Sequence, residues 1–394
     1  MTASWLEAPE GALWPDIGDQ PNPYVHYRRM LWSWHRAMAA GWTDDDFIEM
    51  VRTIDAAVAT VDDAGFVRTP GRWAEGLAGT GAPARVFAKD ETANVGGSHK
   101  ARHLMGLLLH LGVDAVDGDA RLAISSCGNA ALGAATVARA AGRPIDVFIP
   151  TWADPSIVAI LDRLDATIHV CERRDGEAGD PCMLRFQEAV AGGALAFGVQ
   201  ATENLWTLDG GRTIGWELAD QLSEGSVDHV LVQVGGGALL TSCAIGLLEG
   251  VSHGPFVGAP RVFAVQAEGC APFDRAWSAI PDAESLDARL AMAEAQAAVL
   301  MTPWDDPHSA ATGILDDVTY DWLGIARALM RTGGGSIVAS EGDIQYANER
   351  IRAQGYNADH TGTAGYAGLL AAVATGAIDP DDSAAVLVTG VRRD

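Results

Sequence analysis

Gly235-Gly236-Gly237-Ala238 follow the apolar run DHVLVQV and open the helical pattern LLTSCAIGLLEG. Between a strand and a helix, such glycines let successive backbone N–H groups converge on one point, with the positive end of a helix dipole behind them. That arrangement holds a phosphate without a cationic side chain. A tight turn with no ligand fits the same four residues equally well. The loop is no dinucleotide fingerprint, because G-x-G-x-x-G is absent, and no P-loop, because no Gly-Lys-Ser/Thr follows. A second triplet, Gly333-Gly334-Gly335, precedes a strand and reads as a plain turn.

Lys100 closes the stretch Asn94-Val95-Gly96-Gly97-Ser98-His99-Lys100 and leads into an apolar helix. The positive end of a helix disfavours an ammonium ion, and desolvation lowers its pKa further. Such an amine is nucleophilic enough for a Schiff base; the ordinary alternative is a solvated surface lysine. Ser125-Ser126-Cys127-Gly128-Asn129 again lie between a strand and a helix. Two hydroxyls, an amide and free N–H groups there can hold a small carboxylate, or can simply cap the helix. Thr389-Gly390 end the apolar run AAVLV, where a hydroxyl faces the carboxyl edge of a sheet.

The elements that must position these residues alternate. ARVFAK, RLAIS, IDVFIP and ATIHV read as strands, with helix-length periodic segments between them. DHVLVQV, RVFAVQ and AAVLVT continue the pattern towards the C-terminus. Such alternation predicts βαβ units, hence parallel sheets flanked by helices, and two series of them predict two α/β domains with a cleft between. Ahead of them PNPYVHYRRMLWSWHRAMAAG reads as one helix ending at Gly41, and TDDDFIEMVRTIDAAVATV as a second with Thr43 as its N-cap. Trp5, Trp14, Trp32, Trp34 and Trp42 of this region read as packing residues.

The 394 residues carry 27 Lys plus Arg against 52 Asp plus Glu, a net charge of −25. A chain so acidic repels phosphate backbones and anionic membranes, so neither nucleic acid nor membrane is an expected partner. The cysteines, Cys127, Cys171, Cys182, Cys243 and Cys270, form no C-x-x-C pair, and the ten histidines show no metal-binding spacing. No metal is expected. The start MTASWLEAPEG lacks the basic and apolar regions of a secretory signal, and a cytoplasmic location is expected.

Taken in order, GGSHK-A-R, SSCGN, VGGGALL and VLVTG resemble the fold-type-II pyridoxal-phosphate enzymes, the group of tryptophan synthase β, threonine dehydratase and threonine synthase. The resemblance runs from about Val67 to the end. VQAEGCAPFDRA and AATGILDD look most like threonine synthase; SSCGN and the triple glycine look at least as much like threonine and serine dehydratases. It implies two parallel-sheet α/β domains: a large cofactor-binding domain of residues 71–100 and 201–394, a small mobile domain of residues 101–200, and a helical extension, 1–70, packed on the large one. It also implies pyridoxal 5'-phosphate as cofactor and a homodimer.

Roles follow by position. Lys100 would carry the cofactor and later remove the substrate α-proton. Asn129 would meet the cofactor's phenolic oxygen; Gly235, Gly236, Gly237 and Ala238 its phosphate; Thr389 its pyridine nitrogen. Ser98, Ser125, Ser126, Cys127, Gly128 and Asn129 would bind the amino-acid substrate. His99 is either a ring packed over the phosphate, the favoured reading, or a second acid/base group. A neutral hydroxyl at Thr389 suits elimination and replacement better than transamination. Ala101, Cys127 and Ala130 depart from the threonine synthase pattern and weaken the case for a phosphorylated substrate. The expected reaction is α,β-elimination on a small hydroxy amino acid such as serine or threonine. The alternatives are γ-elimination with replacement, β-replacement, or a catalytically idle cofactor-binding protein.

Overall fold

A computed structural model describes residues 5–16, 18–79, 81–177, 179–223 and 227–393. Ten strands run in chain order: β1 (Gly71–Trp73), β2 (Arg85–Asp90), β3 (Leu122–Ser125), β4 (Ile145–Pro150), β5 (Thr167–Cys171), β6 (Leu195–Ala196), β7 (His229–Gln233), β8 (Arg261–Ala267), β9 (Gly335–Ala339) and β10 (Ser383–Val388). They form two sheets. The larger has the order β1-β2-β10-β7-β8-β9 and the smaller β5-β4-β3-β6. All pairings are parallel except β1 with β2. The fold is thus α/β with two parallel sheets, as the alternation predicts. β7 and β10, central in their sheet, are buried at every residue. Helices cover both faces of such strands, which therefore read as mostly apolar runs.

Every helix expected between the strands is present. The helix Lys100–Val113 carries the lysine at its first residue. Asn129–Ala140 follows β3, and Ala238–His253 follows the glycine loop. The short strands β1 and β6 and the helices Thr207–Gly211 and Thr213–Gln221 lie outside the segments that the sequence pattern singles out.

The amino-terminal region corrects one expectation. PNPYVHYRRMLWSWHRAMAAG is not one helix. It splits into Pro23–His26, a 3-10 turn at Arg28–Met30, and Trp32–Ala39. Leu31 is extended (φ −80°, ψ 134°), and the freed N–H groups of Trp32 and Ser33 both donate to the Asp209 carboxylate at 3.0 Å. A buried carboxylate from a distant helix thus caps a helix start inside the expected one. Asp44–Asp62 forms as expected, with Thr43 and Asp46 in a reciprocal capping box. The segment then docks on the rest of the chain. The Tyr24 hydroxyl donates to the Arg102 carbonyl at 2.8 Å, and the Tyr27 hydroxyl to Asp220 at 2.6 Å. The five tryptophans pack against the apolar cores.

Candidate active site

Parallel sheets present ligands at the carboxyl ends of their strands. Four such ends meet here. β2 leads to Lys100, β3 to Ser126 and Asn129, β7 to Gly235, and β10 to Thr389. All open into one cleft of about 1650 Å³. Ser98, His99, Lys100, Ser125, Ser126 and Cys127 line it, as do Gly128, Asn129, the three glycines of the loop and Thr389. Ala238 does not line it; it is the buried first residue of the helix behind the loop.

The chain has only two lysines, Lys89 and Lys100. Lys89 is fully buried, its Nζ committed to the Thr69 carbonyl at 2.7 Å and to Glu217 at 2.5 Å. Lys100 is the lysine that faces the cleft. Burial holds its pKa below the ordinary range, against the opposing pull of Asp316 and Asp321. The loop before it is tied down on both sides. Ser98 bridges to Gly390, Val391 N–H donates to the Gly97 carbonyl at 2.9 Å, and Gly96 N–H donates to Asp62 at 3.0 Å.

His99 is buried, and neither ring nitrogen has a hydrogen-bond partner. Burial and the neighbouring Lys100 hold the imidazole well below its usual pKa, so the ring is neutral. A neutral imidazole with two idle nitrogens in a cleft is a group awaiting a ligand.

The glycine loop is shaped by what stands against it. Gly237 has φ +108°, and a Cβ there would come within 2.7 Å of the Ile325 side chain. A Cβ at Gly235 would fall 2.5 Å from Asp316 Oδ2. Asp321 braces the loop from behind: its N–H donates to the Gly236 carbonyl at 2.8 Å, and its carboxylate accepts from the N–H groups of Ala201 and Thr202 at 3.0 Å. Asp316 itself is pushed up to about 6, chiefly by burial and partly by Asp317 and Asp180, while Lys100 pulls the other way.

At the second helix mouth, Ser126 Oγ accepts from Gly128 N–H at 3.4 Å, so the hydroxyl also supports its own turn. Asn129 is the first helical residue, and its Oδ1 accepts from the Arg393 guanidinium. Its amide N–H groups are thereby the ones left to face a ligand. Burial raises the Cys127 thiol pKa, so the thiol stays protonated. Thr389 is buried, and Gln233 Nε2 donates to its Oγ1 at 2.6 Å.

Sequence reasoning missed Gln233, Asp316, Asp321 and Arg393. Gln233 is a polar residue in a wholly buried strand, and that was its one visible signal. The scarcity of lysine was also open to a count. The other three residues act through partners distant in sequence, and no local pattern marks them.

A family model described as "Pyridoxal-phosphate dependent enzyme" matches residues 63–390. A threonine synthase of Methanosarcina acetivorans is 24% identical over 310 residues, covering 78% of this chain and 70% of that protein. An L-serine dehydratase of Saccharomyces cerevisiae is 28% identical over 194 residues, covering 47% of this chain and 56% of that protein. The chain's match thus spans little more than half the length of that relative. Among solved structures, threonine deaminase isoform 2 from Solanum lycopersicum superposes with a TM-score of 0.65 at 18% identity, covering 89% of this chain and 91% of that one. That likeness is one of fold. The family match spans most of the chain and the four strand ends that meet in the cleft, and the chain belongs to the pyridoxal-phosphate dependent enzymes.

Proposed function

We propose that the chain catalyses α,β-elimination on a small hydroxy amino acid such as serine or threonine, giving a keto acid and ammonia. The observation that carries this reading is Lys100. It is the cleft's lysine, its amine is held towards the neutral form, and it shares the cleft with a glycine cradle and two serines at a helix mouth.

The residues fit the cofactor. The turn at Gly235–Gly237 offers backbone N–H groups at a helix start, the donor set that suits a phosphate. His99 brings two unpartnered ring nitrogens to the same cleft. We assign Gly235, Gly236 and Gly237 to the phosphate, with Ala238 supporting them as the first residue of the helix. His99 packs beside the cofactor, Asn129 meets its phenolic oxygen through the amide, and Thr389 meets its pyridine nitrogen. Bound to Lys100, the cofactor supplies an electron sink for the substrate's α-carbon.

The chain's own residues do the rest. Ser125, Ser126 and the helix start at Asn129 hold the substrate carboxylate, with Ser98, Cys127 and Gly128 shaping the wall around it. The Lys100 Nζ, its ammonium form disfavoured by burial, accepts the α-proton. The same nitrogen then returns a proton to the departing hydroxyl oxygen, so water leaves without net charge in the cleft. Asp180, Glu203, Asp316 and Asp317 line the cleft. Arg173, Arg352, Arg392 and Arg393 line it as well, so the cleft's charge is mixed.

We place the mobile unit at residues 101–200, which contain the smaller sheet, on the larger body of 71–100 and 201–394, with 1–70 as the extension. Pairing of two copies and a cytoplasmic location belong to the same proposal. The first rests on the resemblance and the second on five free thiols. Among the described residues no helix is long and apolar enough to cross a membrane.

A second reading, γ-elimination with replacement as in threonine synthase, is favoured by the long match to the archaeal protein of that name. Purified enzyme supplied with the cofactor distinguishes the readings. Keto acid from serine or threonine supports elimination. Inorganic phosphate from O-phosphohomoserine supports the second reading. A bound cofactor whose spectrum no amino acid alters returns the chain to an idle binder.

A further inference from the structure

We infer that Gln233 is a positioning residue that fixes the direction of the Thr389 hydroxyl and thereby keeps the cofactor's pyridine nitrogen unprotonated. The inference rests on the assignment of Thr389 to that nitrogen.

Gln233 is the last residue of β7 and is buried. Its Nε2 donates to Thr389 Oγ1 at 2.6 Å and lies 3.3 Å from both the Gly362 and the Leu387 carbonyl oxygens. The two carbonyls settle which way the amide points. Flipped, its oxygen would face two acceptors, so the NH₂ end belongs there. The Oε1 end is left buried without a partner, so holding this orientation carries a cost.

An amide NH₂ only donates. Thr389 Oγ1 therefore accepts from it, and the hydroxyl proton must point elsewhere. Thr389 N–H is already committed to the Gly362 carbonyl at 3.1 Å. A hydroxyl oxygen has two lone pairs, and Gln233 takes one. Because the same amide also sits against the Gly362 and Leu387 carbonyls, which would otherwise compete for the hydroxyl proton, Thr389 is biased to present that proton to the cleft. A group meeting that proton has to be an acceptor, and a pyridine nitrogen accepts only when it carries no proton of its own. The neutral hydroxyl alone is indifferent, since it can donate or accept. Gln233 tilts the balance towards donation. Without the amide, the hydroxyl is free to donate to the Leu387 carbonyl, or to share the Gly362 carbonyl with the Thr389 N–H, which turns an oxygen lone pair towards the ring. A ring meeting that lone pair is better protonated, and protonation deepens the electron sink and opens transamination as a side reaction.

The test uses the holoenzyme reconstituted with cofactor labelled with 15N in the ring, read by the ring-nitrogen resonance. The wild type is expected in the unprotonated range from pH 6 to 9. Gln233→Met and Gln233→Asn, two variants in case one folds poorly, are expected to shift the resonance towards the pyridinium position. They should also raise the ratio of half-transamination to elimination at least several-fold. In a Thr389→Val background, Gln233→Met should add no further shift, because the amide acts through the hydroxyl; a merely structural role would add one. Wild-type resonances in both Gln233 variants overturn the inference and leave the assignment of Thr389 intact. A pyridinium resonance in the wild type overturns the inference but not the assignment of Thr389, since a hydroxyl can also accept from a protonated ring. A chain that takes up no cofactor overturns both and the proposed function with them.

Discussion

Arg102 holds Glu217 at two points: NH1 donates to Oε1 at 2.7 Å and NH2 to Oε2 at 3.0 Å, with both side chains buried. Arg102 also donates to both oxygens of Glu91, and Lys89 meets Glu217 from the other side. Two cations and two carboxylates balance in a place water does not reach. This network lies two residues past Lys100, beneath the start of its helix, and joins that helix to β2 and to Thr213–Gln221.

Removing one partner leaves an uncompensated buried charge. Arg102→Met is expected to destabilise the protein by about 3–5 kcal/mol, measured by urea unfolding. It should also loosen the loop that presents Lys100, so cofactor retention on dialysis should fall. Unchanged stability would show that the network is dispensable.

Asp209 caps the helix Trp32–Ala39 from a distance and pairs with Arg212. Arg212, with His110 and the backbone donors assisting, holds its carboxyl well below the usual range despite burial. A depressed carboxyl contributes stability above its unfolded pKa and loses it as pH falls through the folded value. The docking of the amino-terminal segment is therefore expected to loosen in acid. In Asp209→Asn the amides of Trp32 and Ser33 should exchange with solvent at least tenfold faster at neutral pH, read by hydrogen exchange.

Gly237 holds a left-handed conformation in the middle of the cradle. Gly237→Ala is expected to cost about 1–2 kcal/mol from backbone strain alone. Crowding against Ile325 should displace the loop and weaken cofactor affinity at least tenfold, by titration with pyridoxal phosphate. An unchanged affinity would place the phosphate elsewhere.

Asp316 sits against the cradle with its carboxyl pushed up to about 6. Its folded pKa is raised, so its protonated form is the one the fold prefers. Between about pH 4 and 6 the native state binds more protons than the unfolded state, and stability falls as pH rises through that window. Above it the cost is complete, about 1–2 kcal/mol once partial exposure is allowed for. Asp316→Asn should therefore match the wild type near pH 4 and exceed it above pH 6, in thermal unfolding of the cofactor-free protein. The same variant should bind the cofactor's phosphate more tightly at pH 8.

What the sequence disclosed was local. Gly235–Gly237, Ser125–Asn129 and Lys100 each announce themselves as a strand, a short turn and a helix in succession, and the structure brings all three to one cleft. The break at Leu31 could not be read that way. Its cause, Asp209, lies 177 residues on from Trp32. Arg102 and Glu217 are 115 residues apart, and Arg102 reads locally as one more polar residue at a helix start. Gln233 reads as an interruption in an apolar strand. It gains meaning only when β7 and β10 are adjacent and the end of β10 delivers Thr389 beside it. Pattern shows which elements form; the pairings that aim the side chains depend on topology.

The most direct measurement uses the fact that the chain has two lysines. Protein reconstituted with pyridoxal phosphate is reduced with borohydride, digested and mapped by mass spectrometry, alongside an assay of keto acid release from serine and threonine. The account predicts a visible absorbance band that reduction removes, label on the Lys100 peptide with none on that of Lys89, keto acid from one of the two substrates, and loss of band and turnover in Lys100→Ala. Label on Lys89, or full turnover by Lys100→Ala, would contradict it.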